Sequence, residues 1–203
     1  MSNAYLESMK KRRTIYALDK NVSASKEEIV TTIQEAIKHA PSAFNSQTSR
    51  VVVLFGEESN KLWGEDGIVE RAIRNVLPEG QSFEPTARKL ASFNAGTGTV
   101  LYFEDTSVVK NLQKQFSLYA DNFPVWSQHS TAIAQFSVWT ALANIGIGAS
   151  LQHYNPLIDE GVRKTFNIPE SWKLTGQMPF GNIAEPAGEK EFMPIEERVK
   201  VLG

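Results

Sequence analysis

An α+β fold is predicted for this chain by three observations. Helix-period and strand-like stretches are mixed along it, without the regular strand–helix–strand rhythm of a doubly wound sheet. The strand candidates are short β-branched or aromatic runs, as at residues 51–55. Residues 122–158 contain no Asp, Glu, Lys or Arg, and within them lies a helix-period segment that is apolar all round. Such a helix belongs inside a core or an interface.

The elements follow in order. Residues 5–13 read as a short helix ending in a basic cluster. Ser25 and Glu28 have the spacing of a capping box, and after them Ile29, Ile33, Ala36, Ile37 and Ala40 fall on one helical face until Pro41 stops it. Residues 41–49 form a polar loop and 51–55 a buried strand. Residues 61–76 and 85–93 are expected as helices, 100–103 as a strand and 108–121 as an amphipathic helix. The uncharged helix is expected over 130–144, a strand over 147–153, a helix over 159–166 and a last strand over 174–180. A polar tail covers 184–203.

The 203 residues, 41% hydrophobic and 22% charged, suit one globular domain spanning 1–203. A net charge of −2 leaves no basic surplus for a nucleic-acid backbone. With no cysteine there is no disulfide, thiolate catalysis or zinc–sulfur site, as suits the cytoplasm. The first residues reach Lys10 without the apolar run of a signal peptide, so none is expected. The uncharged stretch is long enough to suggest a membrane span. However, Gln128, His129, Gln135, Asn144, Gln152 and Asn155 interrupt it, and no membrane association is expected.

Most motifs for chemistry fail on inspection. Gly96-Thr97-Gly98 and Gly146-Ile147-Gly148 lack the third glycine of a dinucleotide fingerprint. His39, His129 and His153 are scattered, so no metal site is expected. Three signals remain. Arg12 and Arg13 followed by Thr14 suit a phosphate monoester, which arginine binds bidentately. The loop with Pro41, Ser42, Ala43, Asn45 and Gln47 offers amides and hydroxyls to a polar ring edge. The small-residue segment from Gly146 through Ser150, Leu151 and Gln152 lets backbone approach a flat ligand. Each read alone fits a solvated charge run, a plain loop or tight sheet packing equally well.

Taken in order, "RRT", "APSAFNSQ", "GIGASLQHYNP" and "FGNIAEPAGEKEF…EERV" resemble the nitroreductase-like FMN enzymes, and in particular a short subgroup found in bacteria and yeast. That resemblance implies a central antiparallel-rich sheet flanked by helices in an intertwined homodimer, with the uncharged helix at its centre. It implies FMN as cofactor, NAD(P)H as reductant and a small electron-poor acceptor, in ping-pong hydride transfer. Arg12, Arg13, Thr14 and Lys190 would hold the FMN phosphate and ribityl chain. Pro41, Ser42, Ala43, Asn45 and Gln47 would come from the partner subunit to border the ring. Ser150, Leu151 and Gln152 would supply backbone contacts near its reactive edge. No acid–base residue is implied, because the chemistry sits on the flavin. This chain has Phe192 where the family often has a second basic clamp residue, and Tyr16 where it often has a lysine. These departures leave a second reading open, a flavin-binding regulatory or storage protein with little turnover.

Overall fold

In a computed structural model that describes residues 3–203, the chain starts with helix α1 (Ala4–Lys11), capped by the Asn3 side chain. A two-residue strand, β1 (Leu18–Asp19), leads to α2 (Lys26–His39). Ser25 caps α2, its hydroxyl accepting from the Glu28 amide at 3.1 Å, so the capping spacing in the sequence marks the true helix start. After the 41–48 loop, β2 (Ser49–Phe55) is followed by α3 (Glu57–Trp63), α4 (Ile68–Arg74) and α5 (Glu84–Asn94). The helix expected over 61–76 is thus two helices. The chain turns between Gly64 and Gly67, whose amide donates to the Gly64 carbonyl at 2.9 Å. A Cβ at Gly64 would meet the Asn60 carbonyl at 2.7 Å, so a side chain does not fit this break.

The next strand, β3 (Gly98–Asp105), is buried along its whole length. Helix α6 (Thr106–Gln115) stops at Phe116, where the backbone leaves helical geometry, so the helix expected to reach residue 121 ends early. Helix α7 (Phe123–Asn144) is one long uncharged helix, started by Pro124 in its first turn. No helix among the described residues is long and apolar enough to cross a membrane. Strand β4 (Ile147–Ala149), helix α8 (Asp159–Phe166) and strand β5 (Trp172–Ile183) complete the framework.

All strand pairs are antiparallel, in the order β1-β5-β3-β2, and β4 also pairs with β5. Successive side chains of a strand point to opposite faces, and β3 shows this directly. Val100 and Tyr102 join Ile29, Ile33, Val138, Leu142, Met178 and Phe180 in one core, under α2 and α7. Leu101 and Phe103 join Leu62, Trp63, Phe93, Ile158 and Val162 in the other, under α3, α4, α5 and α8. These features make the fold α+β, with helices on both faces of an antiparallel sheet.

Leu142 is fully buried where α7 meets the sheet, whereas Leu118 is 84% exposed. Leu142→Ala is expected to destabilise the protein by ~2–5 kcal/mol, the range for emptying a core leucine site. Leu118→Ala should change stability by less than ~0.5 kcal/mol. Urea unfolding of the two variants checks this, and equal losses would contradict the core described here.

Candidate functional site

The basic cluster at the end of α1 is held in place by α7 and β4. Lys11 Nζ donates to the Asn144 carbonyl at 3.1 Å, at the end of α7. Arg12 lies over the Trp139 ring at 4.5 Å and beside Phe136 at 5.8 Å. Thr14 bridges to Ala149, and the Ile15 amide donates to the Ala149 carbonyl at 2.9 Å. Gly148 permits this approach, since a Cβ there would stand 2.8 Å from Ile183 Cγ1 and 3.1 Å from Ile15 Cβ.

Arg12 and Arg13 share a cleft of about 450 Å³ with Leu6, Met9, Lys10, Lys190 and Phe192. The fold thus brings together three residues that are about 180 positions apart at the extremes. None of the described residues lining the cleft is acidic. Burial, and then the charge of Arg13, lowers the pKa of the Arg12 guanidinium, whose Nε is buried without a hydrogen-bond partner among the described residues. A concentration of like charge with an unmet donor fits an anion. Arg13 also donates to the Gly188 carbonyl at 2.7 Å, which ties the polar tail to the cleft. Phe192, where a second cation was a family expectation, instead carries Lys190 Nζ over its ring at 5.1 Å. Tyr16 is exposed.

The segment after β4 departs from the strand expected there. The strand expected over 147–153 ends at Ala149, and pairing resumes at a single bridge, Gln152 to Gln177. The Ser150 side chain is fully buried and accepts from Gln152 Nε2 at 3.0 Å, so both side chains face inward. The amides of Ser150 and Gln152 donate to the Pro179 and Gln177 carbonyls. Between them, the part-buried Leu151 amide has no partner among the described residues. Backbone donors are normally satisfied, so an amide of this kind is a candidate for meeting a ligand.

The polar loop stands elsewhere. Ser42 Oγ accepts from the Gln47 amide at 2.9 Å, and the Asn45 amide donates to the Ser42 carbonyl at 3.0 Å. Phe44, Asn45 and Gln47 all have positive φ, at 57°, 49° and 48°. The Phe44 ring lies 5.1 Å from Phe116, 5.3 Å from Phe123 and 6.0 Å from Trp126, the last nearly parallel to it at 19°. Sequence reading missed this aromatic group, although the closely spaced rings at 116, 119, 123 and 126 were its visible signal. It also missed the Arg50–Asp105 ion pair at 3.0 Å, whose members are far apart in sequence.

Within one chain the loop therefore packs at the Trp126 end of α7 and the basic cleft at its Trp139 end. At 1.5 Å rise per residue the two are separated by ~20 Å. Pro41, Ser42, Ala43, Asn45 and Gln47 are not brought to Arg12, Arg13, Thr14 and Lys190 by the fold of a single copy. Among the described residues no cluster of His, Asp or Glu could hold a metal ion.

The comparisons with known proteins assign this α+β fold and its cationic cleft to the nitroreductase-type oxidoreductases. The chain belongs to the nitroreductase family, whose family model matches residues 9–182. It is 52% identical to the nitroreductase CinD of Lactococcus lactis, covering 98% of this chain and 100% of that one at a TM-score of 0.91. CinD was solved in complex with nicotinic acid, chloramphenicol and 4-nitrophenol. The HBN1 protein of Saccharomyces cerevisiae is 39% identical over 191 residues, 93% of each chain. A Desulfovibrio desulfuricans protein solved in complex with FMN shares the fold at a TM-score of 0.72 and 17% identity, with 100% of this chain and 99% of that one covered.

The Asp105 carboxyl supplies a pH test. Burial alone would raise its pKa, but hydrogen bonds from Ser107 and Ser171 and the charge of Arg50 carry it below the ordinary value. A lowered folded pKa means stability that is present above the unfolded value of ~3.9 and is lost as pH falls through the folded one. Melting temperatures measured from about pH 6 down to about pH 2 should therefore fall more steeply for the parent than for Asp105→Asn. Parallel curves would show that the carboxylate contributes nothing.

Proposed function

We propose that this chain is an FMN-dependent oxidoreductase that uses NADH or NADPH to reduce nitroaromatics, quinones or similar electron-poor acceptors. In this reading residues 1–203 form one FMN-binding domain, and the protein works as an intertwined homodimer in the cytoplasm. The observation that carries the reading is the acid-free cleft of Arg12, Arg13 and Lys190 with its unmet Arg12 donor. A phosphate monoester suits it in charge and in donor geometry. Family membership, the flavin-bound Desulfovibrio fold and the ligands of CinD add support.

The roles of this chain's residues follow. Arg12, Arg13 and Lys190 hold the phosphate, and Thr14 adds a hydroxyl beside it. The free Leu151 amide donates to the ring edge, while Ser150 and Gln152 fix that amide by their bonds to β5. FMN held by these residues would supply the hydride-transfer chemistry between nicotinamide and acceptor. Nicotinamide and acceptor occupy the same open face in turn, so the protein's task is to hold each in stacking geometry.

The dimer follows from α7. Val125 and Ile133 are exposed on it, with Phe136 half-buried nearby. The exposed positions of α7 include Gln128, His129 and Ala132 as well, a face without Asp, Glu, Lys or Arg that suits a second copy. A two-fold axis crossing α7 near its middle sets the Trp126 end of one copy against the Trp139 end of the other. Pro41, Ser42, Ala43, Asn45 and Gln47 of each copy then border the flavin held by the other.

The purified protein is expected to carry stoichiometric FMN and to bind riboflavin more weakly. Each charge-assisted phosphate contact is worth ~1.5–3 kcal/mol, and Arg12→Ala should weaken FMN binding accordingly. Titration of flavin fluorescence checks both, and equal affinity for the two flavins would remove the cleft from the site. Ser42→Trp should keep flavin but slow its reduction by NAD(P)H in stopped flow. A parent that binds FMN yet is reduced by neither nicotinamide would make the protein a flavin-binding protein with little turnover.

A further inference from the structure

We infer that Arg50 is a positioning residue for the 42–47 loop. It grips the loop from the sheet and so sets the surroundings of the flavin that the loop borders in the other copy. This rests on the reading above that the loop lies against a flavin.

Three non-glycine residues in or ending the loop have left-handed backbone: Phe44, Asn45 and Gln47. Conformations of this kind cost energy and persist only where the surroundings over-determine them. The hydrogen bonds inside the loop, from Gln47 to Ser42 Oγ and from Ser46 to the Ala43 carbonyl, shape it but do not fix its place against the rest of the protein. Thr48, just beyond, accepts from the Asp105 amide and from Ser127 Oγ, both at 2.9 Å, and within residues 42–47 two contacts reach outward. One is the Phe44 ring, packed on Phe116 and Trp126. The other is Arg50, whose guanidinium donates to the Gln47 carbonyl, to the Ser49 carbonyl at 3.1 Å and to Asp105 Oδ2 at 3.0 Å. The same group lies over the Trp172 ring at 5.9 Å.

The Arg50 brace is continuous with the aromatic one. Asp105 caps α6 by accepting from the Ser107 amide at 3.1 Å. Phe116 stands at the other end of α6 and packs on Phe44. The loop is therefore held on both sides by parts of one helix, and Arg50 is the only side chain described here that joins the Gln47 carbonyl to it. A planar fork of donors suits three acceptors in different directions, and a lysine ammonium on the same stem does not reproduce it. Arg50 reaches no reacting atom, so its effect on hydride transfer passes through the loop.

The test compares Arg50→Ala, Arg50→Lys and Asp105→Asn with the parent. Asn also serves as an N-cap, so Asp105→Asn removes the charge while keeping α6 capped. Each protein is saturated with FMN, and flavin reduction by NAD(P)H is followed in stopped flow. Arg50→Ala is expected to slow reduction by about tenfold to a hundredfold, the scale on which small misplacements act. FMN affinity should change far less, because the phosphate cleft is intact. Asp105→Asn and Arg50→Lys should slow reduction in the same direction by less. A merely structural role would lower the melting temperature and leave the reduction rate and visible spectrum of the loaded protein unchanged.

A mixed dimer tests the route between copies. Differently tagged Arg12→Ala and Arg50→Ala chains are co-expressed, and the heterodimer is studied at an FMN concentration that fills the parent but not Arg12→Ala. One of its sites then carries both defects and the other neither, so about half of the parent's fast reduction should return. Reduction of loaded Arg50→Ala and Asp105→Asn at the parent's rate would overturn the inference. A slow Arg50→Ala whose heterodimer recovers nothing would overturn the action across the dimer. A parent that takes up no FMN, or whose FMN is not reduced, would bring down the functional reading instead.

Discussion

The length of α7 governs this molecule. It is a stiff, uncharged rod whose inner face is sealed against the sheet by Val138 and Leu142, and whose two ends carry unlike chemistry. One end presents Trp139 to Arg12, and the other presents Trp126 to Phe44. A helix of that length cannot bend its ends together, so the cleft and the loop stay apart in one copy. In the homodimer proposed above, two copies paired along this rod bring both chemistries together and make two equivalent sites.

The cationic cleft shows how packing can prepare electrostatics. Arg12 lies over an indole, and its burial and then the charge of Arg13 disfavour its own charge. The stem and ring contacts offset this by burying apolar surface and by cation–π attraction. A cationic group held in this way suits an anion.

Local elements were legible in the sequence wherever a short-range rule governs. Ser25 and Glu28 marked the start of α2, Pro41 its end, and the charge-free stretch announced α7. The break between α3 and α4 was hidden because Gly64 and Gly67 stand inside a periodic run, where a glycine is often tolerated, whereas here Asn60 leaves no room beside Gly64. Strand β1 was hidden because two residues carry no pattern, and its existence depends on β5 lying alongside. Of the site, Arg12, Arg13 and Lys190 could be grouped only through family likeness, since no periodicity links such distant positions. The inward turn of Ser150 and Gln152, the left-handed Phe44 and the Arg50–Asp105 pair follow from tertiary contacts, which a linear reading does not contain.

The sheet closes through its last strand. Strand β5 pairs with β1, β3 and β4, so during synthesis three strands wait for one that emerges after all of them. Until then the fully buried β3 can be covered on one side by β2 but exposes its other edge. Unpaired apolar edges of this kind invite association with other chains. The nascent protein therefore has an interval in which its own fold does not yet protect that edge. Its yield in a cell should depend more on that interval than on the stability of the finished sheet.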